Sequence, residues 1–139
     1  MKKNGIVVLI FVMFLIVSCA GIPDGFTAVK DFEAEKYLGK WYEIARFDFT
    51  FEKDLNNTTA EYSWNKDGSV RVVNRGFNYV KNTPEEAVGK AKFRGDPSIA
   101  ELKVSFFGPF YAGYNVIALD TDYQYALVVG DSLDYLWIL

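Results

Sequence analysis

The chain has 139 residues, of which 50% are hydrophobic and 24% charged, and its formal net charge is −3 at pH 7. It contains no histidine and a single cysteine, which excludes histidine-based catalytic triads, histidine-liganded metal sites and an internal disulfide. The mildly acidic balance argues against a nucleic-acid partner, and the length suits one domain with a single core.

The first 18 residues read as a secretory signal. Lys2 and Lys3 form a positive start, residues 5–17 are almost continuously apolar, and Cys19 follows. This apolar run is shorter than the roughly 20 residues of a transmembrane helix but suits a signal peptide. The run that leads into Cys19 resembles the lipobox of bacterial lipoproteins, which implies cleavage before Cys19 and a diacylglyceryl group on its sulfur. The alternative is an incidental cysteine at an ordinary cleavage site.

Cleavage there would leave residues 19–139, whose net charge is −5 because both signal lysines depart. Ala20 resembles the sorting position of outer-membrane rather than inner-membrane lipoproteins. The expected location is therefore the outer membrane, with a lipid anchor and the domain in the periplasm; the cell surface is the alternative. Residues 19–27 contain two glycines and a proline and are interpreted as a lipidated tether.

Residues 28–139 are predicted to form one small β domain. A short helical turn is predicted at residues 32–38, and eight strands separated by turn signals follow it. The strands are predicted at residues 40–49, 58–64, 69–77, 87–94, 99–107, 113–119, 123–129 and from 133 onward. Residues 78–86 are predicted as a loop because Pro84 interrupts them. Eight sequential strands with short connections predict an all-β, up-and-down antiparallel barrel, whose closure removes exposed strand edges.

Period-two alternation predicts which side chains face the barrel interior. Lys90, Lys92 and Arg94 share one face of their strand, so the opposite face, which is mostly small, should point inward. The predicted inward residues are Val70, Val72, Asn74, Ala87, Gly89, Ala91, Phe93, Leu102, Val104, Phe106, Tyr114, Val116 and Ala118. Small interior residues leave room for one small ligand in an eight-stranded barrel. A solid core filled by aromatic rings from other strands is the alternative.

Two short motifs resemble signatures of the lipocalin family. Gly39-Lys40-Trp41-Tyr42 opens the first strand, and Thr121-Asp122-Tyr123 lies between the sixth and the seventh. Longer blocks at 39–49, 100–119 and 134–139 are similar to the bacterial outer-membrane lipocalins, and the resemblance covers residues 26–139. It implies a calyx, a barrel open at one end and closed at the other by the helical turn and Trp41.

The resemblance implies a lipid-binding module for fatty acids or lysophospholipids, with no cofactor, no metal and no bond made or broken. The interior residues expected to hold the ligand are Tyr62, Val72, Asn74, Ala91, Phe93, Val104, Phe106, Tyr114 and Val116. Phe110 is expected at the mouth, where it guides an acyl chain, touches the bilayer or plugs the barrel. The alternative function is a structural or interaction lipoprotein whose barrel is filled or incompletely formed.

The sequence departs from the family at its C-terminal end. The family continues into a Ser-Arg signature, a helix packed on the barrel wall and a further strand, whereas this sequence ends at Leu139. A truncated barrel is therefore expected, without the arginine that normally covers the tryptophan matching Trp41. Residues 135–139 are apolar on both predicted faces, so an uncovered apolar wall that favours self-association is predicted. The outer face of the two preceding strands is predicted to carry Ile117, Leu119, Ala126 and Val128.

Several acidic residues were candidates for chemistry. Glu43 shares the predicted inward face of the first strand with Trp41 and Ala45, where burial would raise its pKa. The alternatives are hydrogen bonds from Glu43 to tyrosines or backbone near the closed end, or an outward orientation. Residues 85–86 are interpreted as a solvated acidic loop pair. Asp120 is predicted to bond the backbone of its own turn.

Overall fold

The computed structural model describes residues 21–139, so the predicted signal and the candidate lipid site at Cys19 lie outside the described residues. A short helix, α1 (Ala34–Tyr37), precedes the strands, and a 3-10 turn covers Thr50–Glu52. The strands are β1 (Gly39–Tyr42), β2 (Ala45–Arg46), β3 (Leu55–Trp64), β4 (Val70–Asn78), β5 (Thr83–Phe93), β6 (Glu101–Phe107), β7 (Phe110–Leu119), β8 (Ala126–Val129) and β9 (Leu136–Ile138). Within residues 21–139, no helix is long and apolar enough to span a membrane.

The nine strands of this region form one antiparallel sheet in the order β1-β3-β4-β5-β6-β7-β8-β9-β2. β1 and β2 are the two halves of one segment and are separated only by Glu43 and Ile44. The first half pairs with β3 and the second half pairs with β9. The two ends of the sheet therefore meet on the same segment, and the sheet curls into a barrel. The predicted all-β, up-and-down barrel is confirmed, with eight strands when β1 and β2 count as one.

The two ends of the barrel differ. At one end, here called the closed end, the chain around α1 lies against the turns 94–100 and 120–125. The Phe32 N–H donates to the Ser98 carbonyl oxygen, and the Glu33 N–H donates to the Tyr123 hydroxyl, both at 2.9 Å. The opposite end, here called the mouth, is framed by loops 47–54, 79–82, 108–109 and 130–135.

Trp41 is buried at the closed end against Tyr37 of α1. Its ring centroid lies 4.7 Å from that of Tyr37, and its Nε1 donates to the Tyr37 carbonyl oxygen at 2.8 Å. The side chain retains only 6% exposure. The last residues of α1 therefore supply part of the cover that the resemblance assigns to an arginine.

The predicted loop over residues 78–86 is present only at residues 79–82, so its predicted extent is wrong. β5 begins at Thr83 and contains Pro84, which lies opposite Phe77 of β4. β6 pairs with β5 only from Lys90 onward, so the β6 side of β5 has no partner strand at Pro84. Proline is tolerated at such an unpaired edge. The predicted acidic loop pair thus lies in a strand, where Glu85 accepts a hydrogen bond from Asn78 and Glu86 one from Arg75.

A bulge in β7 overturns the predicted orientation of side chains in the last strands. Val116 pairs with β8 in regular register, but the next pair involves Ala118, which leaves Ile117 as an extra residue. One extra residue shifts the alternation, so every later side chain changes face. Leu119 consequently packs on the core. Ala126 and Val128 also pack on the core, because they lie opposite Leu119 and Val116, so their predicted outward orientation is wrong. Ala118 is exposed on the outside.

An apolar outer wall is nevertheless present where β9 meets β2. Ile44 and Ile138 are exposed there, and Leu127 and Leu136 beside them are half-buried. Trp137, between the two outward residues of β9, packs on the core, so this strand is apolar on both faces as predicted. Self-association through this wall stays a prediction.

Gly89 allows an aromatic ring to cross the barrel interior. A Cβ at this position would lie 2.8 Å from the Phe106 ring and 2.7 Å from the Ser105 carbonyl oxygen. We expect Gly89→Ala to lower the free energy of unfolding by about 1–3 kcal/mol, because both ring and backbone must move. Gly95→Ala is the control, since an added methyl there meets no atom of residues 21–139 within 4 Å. Urea unfolding compares the two, and equal midpoints would contradict the prediction.

Candidate ligand-binding lumen

The barrel interior is the candidate site. Directly opposed residues of an antiparallel pair share one face of the sheet, so the strand register shows which side chains point inside. One inward row comprises Tyr62, Val72 and Gly89. A second, nearer β7, comprises Ala91, Val104 and Ala112.

The predicted ligand residues lie in the interior, except for Phe110. Those packed in or against the core are Tyr62, Val72, Ala91, Phe93, Val104, Phe106, Tyr114 and Val116. Asn74 is half-buried and opposite Ala60 and Ala87 on the same inward face. Phe110 stands at the mouth and is exposed. The contacts of these residues with a ligand stay a prediction.

The closed half of the interior is packed. A cavity of about 30 Å³ remains there, enough for about one water molecule and far below the roughly 300–1,000 Å³ of typical ligand pockets. Its lining comprises Phe32, Ala34, Tyr37, Leu38, Tyr62, Val70, Val72, Ala91, Phe93, Leu102 and Tyr114. The small side chains of β5 therefore leave less free space than the strand alone suggests.

Three tyrosine hydroxyls meet in this packed half. The Tyr114 hydroxyl lies 2.7 Å from that of Tyr37 and 2.7 Å from that of Tyr62. Burial raises the pKa of all three hydroxyls, so each is neutral and carries a proton at neutral pH. Two contacts use two of the three protons, which leaves one proton for a partner outside the triad. Tyr37 is the member that the sequence pattern did not place inside.

The half nearer the mouth is open to solvent. Ala112 faces inward opposite Val104, and Ala87 faces inward opposite Asn74, yet both alanines are exposed. An inward residue can be exposed only where water enters the barrel. This space between Ala87 and Ala112, here called the mouth lumen, is the part of the interior that solvent reaches.

A buried charged cluster lies on the interior side of the seam between β2 and β9. The Arg46 guanidinium contacts Glu43 Oε1 at 2.5 Å and Glu52 Oε2 at 3.7 Å, and its Nη2 donates to the carbonyl oxygens of Glu52 and Leu55. Trp137 Nε1 donates to Glu52 Oε2 at 3.0 Å. The three charged side chains are 8–15% exposed. Burial raises the pKa of the Glu52 carboxyl, and the neighbouring Glu43 adds to the rise.

The sequence pattern predicted one member of this cluster and missed the others. Glu43 points inward with Trp41 as predicted, and its partner is Arg46 rather than a tyrosine or backbone. Ala45 is exposed and lies opposite Ile138, so its predicted inward orientation is wrong. Arg46 was missed because residues three apart point to opposite faces of a regular strand. The available signal was the acid–base spacing of Glu43 and Arg46.

The two signature motifs both lie at the closed end, where each contacts the chain around α1. Gly39 adopts a φ of +104°, a left-handed conformation that favours glycine, and Trp41 enters the interior two residues later. Tyr42 points outward and is exposed. Tyr123, in the second motif, contacts the chain before α1, since its hydroxyl accepts a hydrogen bond from the Glu33 N–H.

The turn that carries the second motif is held by an aspartate. The Asp120 carboxylate accepts backbone N–H bonds from Tyr125, Gln124 and Asp122. These bonds, that from Tyr125 first, lower the pKa of Asp120. The prediction that this aspartate bonds its own turn is confirmed.

A barrel that is closed and apolar at one end and open at the other defines a binding protein for small hydrophobic molecules. A family model described as a lipocalin-like domain matches residues 32–139. The chain belongs to the lipocalin family, and it is a binding protein rather than an enzyme.

Two relatives of the same name illustrate the similarity of this chain to known lipocalins. Outer membrane lipoprotein Blc of Citrobacter freundii is 54% identical over 141 aligned positions, which cover 100% of this chain and 80% of the relative. Outer membrane lipoprotein Blc of Escherichia coli K12 is 55% identical over 128 positions, covering 91% and 72%. Among solved structures, insecticyanin from the tobacco hornworm Manduca sexta superposes with a TM-score of 0.64 at 24% identity, covering 84% of this chain and 66% of that one. This last likeness supports the fold alone.

Proposed function

We propose that the protein is a lipid-anchored lipocalin of the bacterial outer membrane that binds, stores or transports fatty acids or lysophospholipids. The lipobox-like sequence before Cys19 supports the anchor, as does similarity to relatives named outer membrane lipoproteins. Two or three acyl chains hold a protein stably on a membrane, whereas one does not.

The observation that carries the binding function is the mouth lumen above an apolar floor. An acyl tail that enters between Ala87 and Ala112 would meet Val104 and Phe106 first, and each buried CH₂ contributes about 0.8 kcal/mol. Asn74, half-buried on the same inward face, is placed to hydrogen-bond a polar head. The specific ligand class rests on the family resemblance.

One observation favours a second function, that of a structural or interaction lipoprotein. The closed half of the barrel holds a cavity of only about 30 Å³, so a full acyl chain fits there only if side chains move. The two functions differ in whether the mouth lumen holds lipid.

The decisive experiment fills the mouth lumen with a side chain. We expect Ala112→Trp to weaken binding of a fluorescent fatty acid by more than about tenfold, or about 1.4 kcal/mol, because the indole occupies the space of the tail. Val88→Trp is the matched control, since Val88 lies opposite Val73 on the outward face of β5 and is exposed. Native mass spectrometry should find acyl lipid on the wild type and on the control. A wild type that is always empty, or equal binding by both variants, would favour the second function.

A further inference from the structure

We propose that the mouth of the barrel docks on the membrane surface, so that the lumen opens directly into the lipid phase. The proposal rests on the proposed lipid anchor at Cys19. Its evidence is the distribution of exposed apolar side chains and the place where the described chain begins.

Every loop at the mouth presents an exposed apolar side chain. Phe51, Phe107 and Phe110 are 76%, 79% and 78% exposed, which is unusual for phenylalanine. The full set, here called the apolar rim, comprises Phe47, Phe51, Tyr79, Val80, Phe107, Phe110 and Leu133. Exposed apolar residues gathered at one end of a molecule indicate an interaction site, and aromatic rings suit the membrane interface.

The closed end has the opposite character. Its turns carry Asp67, Asp96, Asp120 and Asp122 against Lys66 and Arg94, and its exposed aromatic side chains are Trp64 and Tyr125. Anionic lipids would repel this end. The mouth loops also carry more acids than bases (Asp48, Asp54, Asp131 and Asp134 against Lys53 and Lys81). Attraction to the bilayer must therefore come from the apolar rim and should depend little on salt.

The start of the described chain places the anchor on the mouth side. The Gly21 carbonyl oxygen is 3.4 Å from Asn115 Nδ2, on the outer face of β7. It also lies 3.1 Å from where a Cβ of Gly113 would stand, and Gly113 N donates to Asp131 of a mouth loop at 2.8 Å. Gly21 thus lies against the outer wall at about mid-height of β7, whereas the Val29 N–H donates to the Val116 carbonyl nearer the closed end, so the chain runs towards the mouth when it is followed back to Gly21.

Chain geometry limits where the anchor can attach. Gly113 and Asn115 lie three and five residues, about 10 and 17 Å, from the Phe110 end of β7, and six and four residues, about 20 and 13 Å, from its closed end at Leu119. Cys19 is two residues before Gly21, and two residues span at most about 7 Å. The acyl chains that we propose on Cys19 would therefore attach within about 7 Å of this mid-height contact, in the direction in which the chain runs towards the mouth. The anchor and the apolar rim then meet the same membrane.

The test measures the depth of single labels in the lipidated full-length protein, reconstituted into phosphatidylcholine vesicles. Cys19 is the only cysteine of the chain, so once it is acylated an introduced cysteine is the sole free thiol. A nitroxide is placed by Phe107→Cys at the rim and, as the matched control, by Tyr125→Cys at the closed end. Both positions are exposed aromatics, so neither label disturbs the core.

We expect the label at 107 to be accessible to oxygen but shielded from a water-soluble nickel chelate, and the label at 125 to show the reverse. Equal nickel accessibility of the two labels would overturn the proposal while leaving the anchor intact. Shielding of label 107 from both reagents, in detergent as well as in vesicles, would indicate a second copy of the chain and would also overturn it. An intact mass without acyl groups would refute the anchor itself, and with it the docking.

Discussion

Replacing Arg46 with methionine is expected to lower the free energy of unfolding by about 3–5 kcal/mol at neutral pH. The substitution removes the cation that contacts both Glu43 and Glu52, and these side chains are only 8% and 12% exposed. Two buried carboxylates would then face each other without their cation. Methionine keeps most of the side-chain volume, so the loss reflects charge rather than a cavity.

The deficit should shrink as the pH falls. Burial and the neighbouring Glu43 already raise the pKa of Glu52, and removing Arg46 raises it further. Above the ordinary carboxyl pKa the folded variant then binds more protons than the unfolded chain, so its stability decreases as pH rises. Urea unfolding at pH 5 and pH 7 measures this slope.

Arg75 provides the matched control for Arg46. It also bridges two carboxylates, Glu61 at 2.8 Å and Glu86 at 2.7 Å, but all three side chains are 45–51% exposed. Water can replace its contacts, so Arg75→Met should have a much smaller effect with little dependence on pH. Equal losses in the two variants would contradict a buried role for the Arg46 cluster.

The sequence was sufficient for the fold because each strand is bounded by turn residues that the barrel requires. Gly68, with a φ of +81°, closes the β3–β4 hairpin where the sequence predicts it. The family motif at Trp41 correctly predicted that the helical turn and this tryptophan pack together at the closed end. The predicted start of β5 was too late because Pro84 lies at an unpaired edge of the sheet, where a proline is tolerated, whereas a central strand would exclude it.

The orientation of side chains was less predictable, because it depends on backbone irregularities that leave little trace in the sequence. Ile44 and Ala45 both point outward, and this break brings Arg46 inside. The extra residue Ile117 likewise turns Ala118 outward and Leu119 towards the core. Beyond an extra residue or a break in a strand, the period-two pattern no longer predicts which side chains face inward, because the alternation is shifted by one residue there.

The interior space was also only partly predictable. The small face of β5 correctly predicted an inward row, but the free volume depends on rings supplied by other elements. Phe106 crosses over Gly89, and Tyr37 enters from α1. The sequence therefore predicted the wall of the lumen and left open how far it is filled.

Tyr114→Phe should expose the energetic role of the hydroxyl triad. Tyr114 is the central hydroxyl, so its removal deprives both Tyr37 and Tyr62 of their partner. A buried hydroxyl without a partner costs about 1–3 kcal/mol, and two such groups cost about 2–6 kcal/mol. Tyr62→Phe is the control, because it removes one end, leaves the other pair intact and should cost only about 0.5–1.5 kcal/mol.

A third variant separates hydrogen bonding from packing. Replacing all three tyrosines with phenylalanine removes every polar atom of the triad, so its urea midpoint should lie above that of Tyr114→Phe despite the additional changes. The triple variant can be more stable than Tyr114→Phe only if each hydroxyl relies on the others for its hydrogen bonds. If one water entered the cavity of about 30 Å³ beside them and satisfied both orphaned hydroxyls, Tyr114→Phe would cost no more than Tyr62→Phe. Equal midpoints for these two single variants would therefore refute mutual dependence and indicate a hydrated barrel floor.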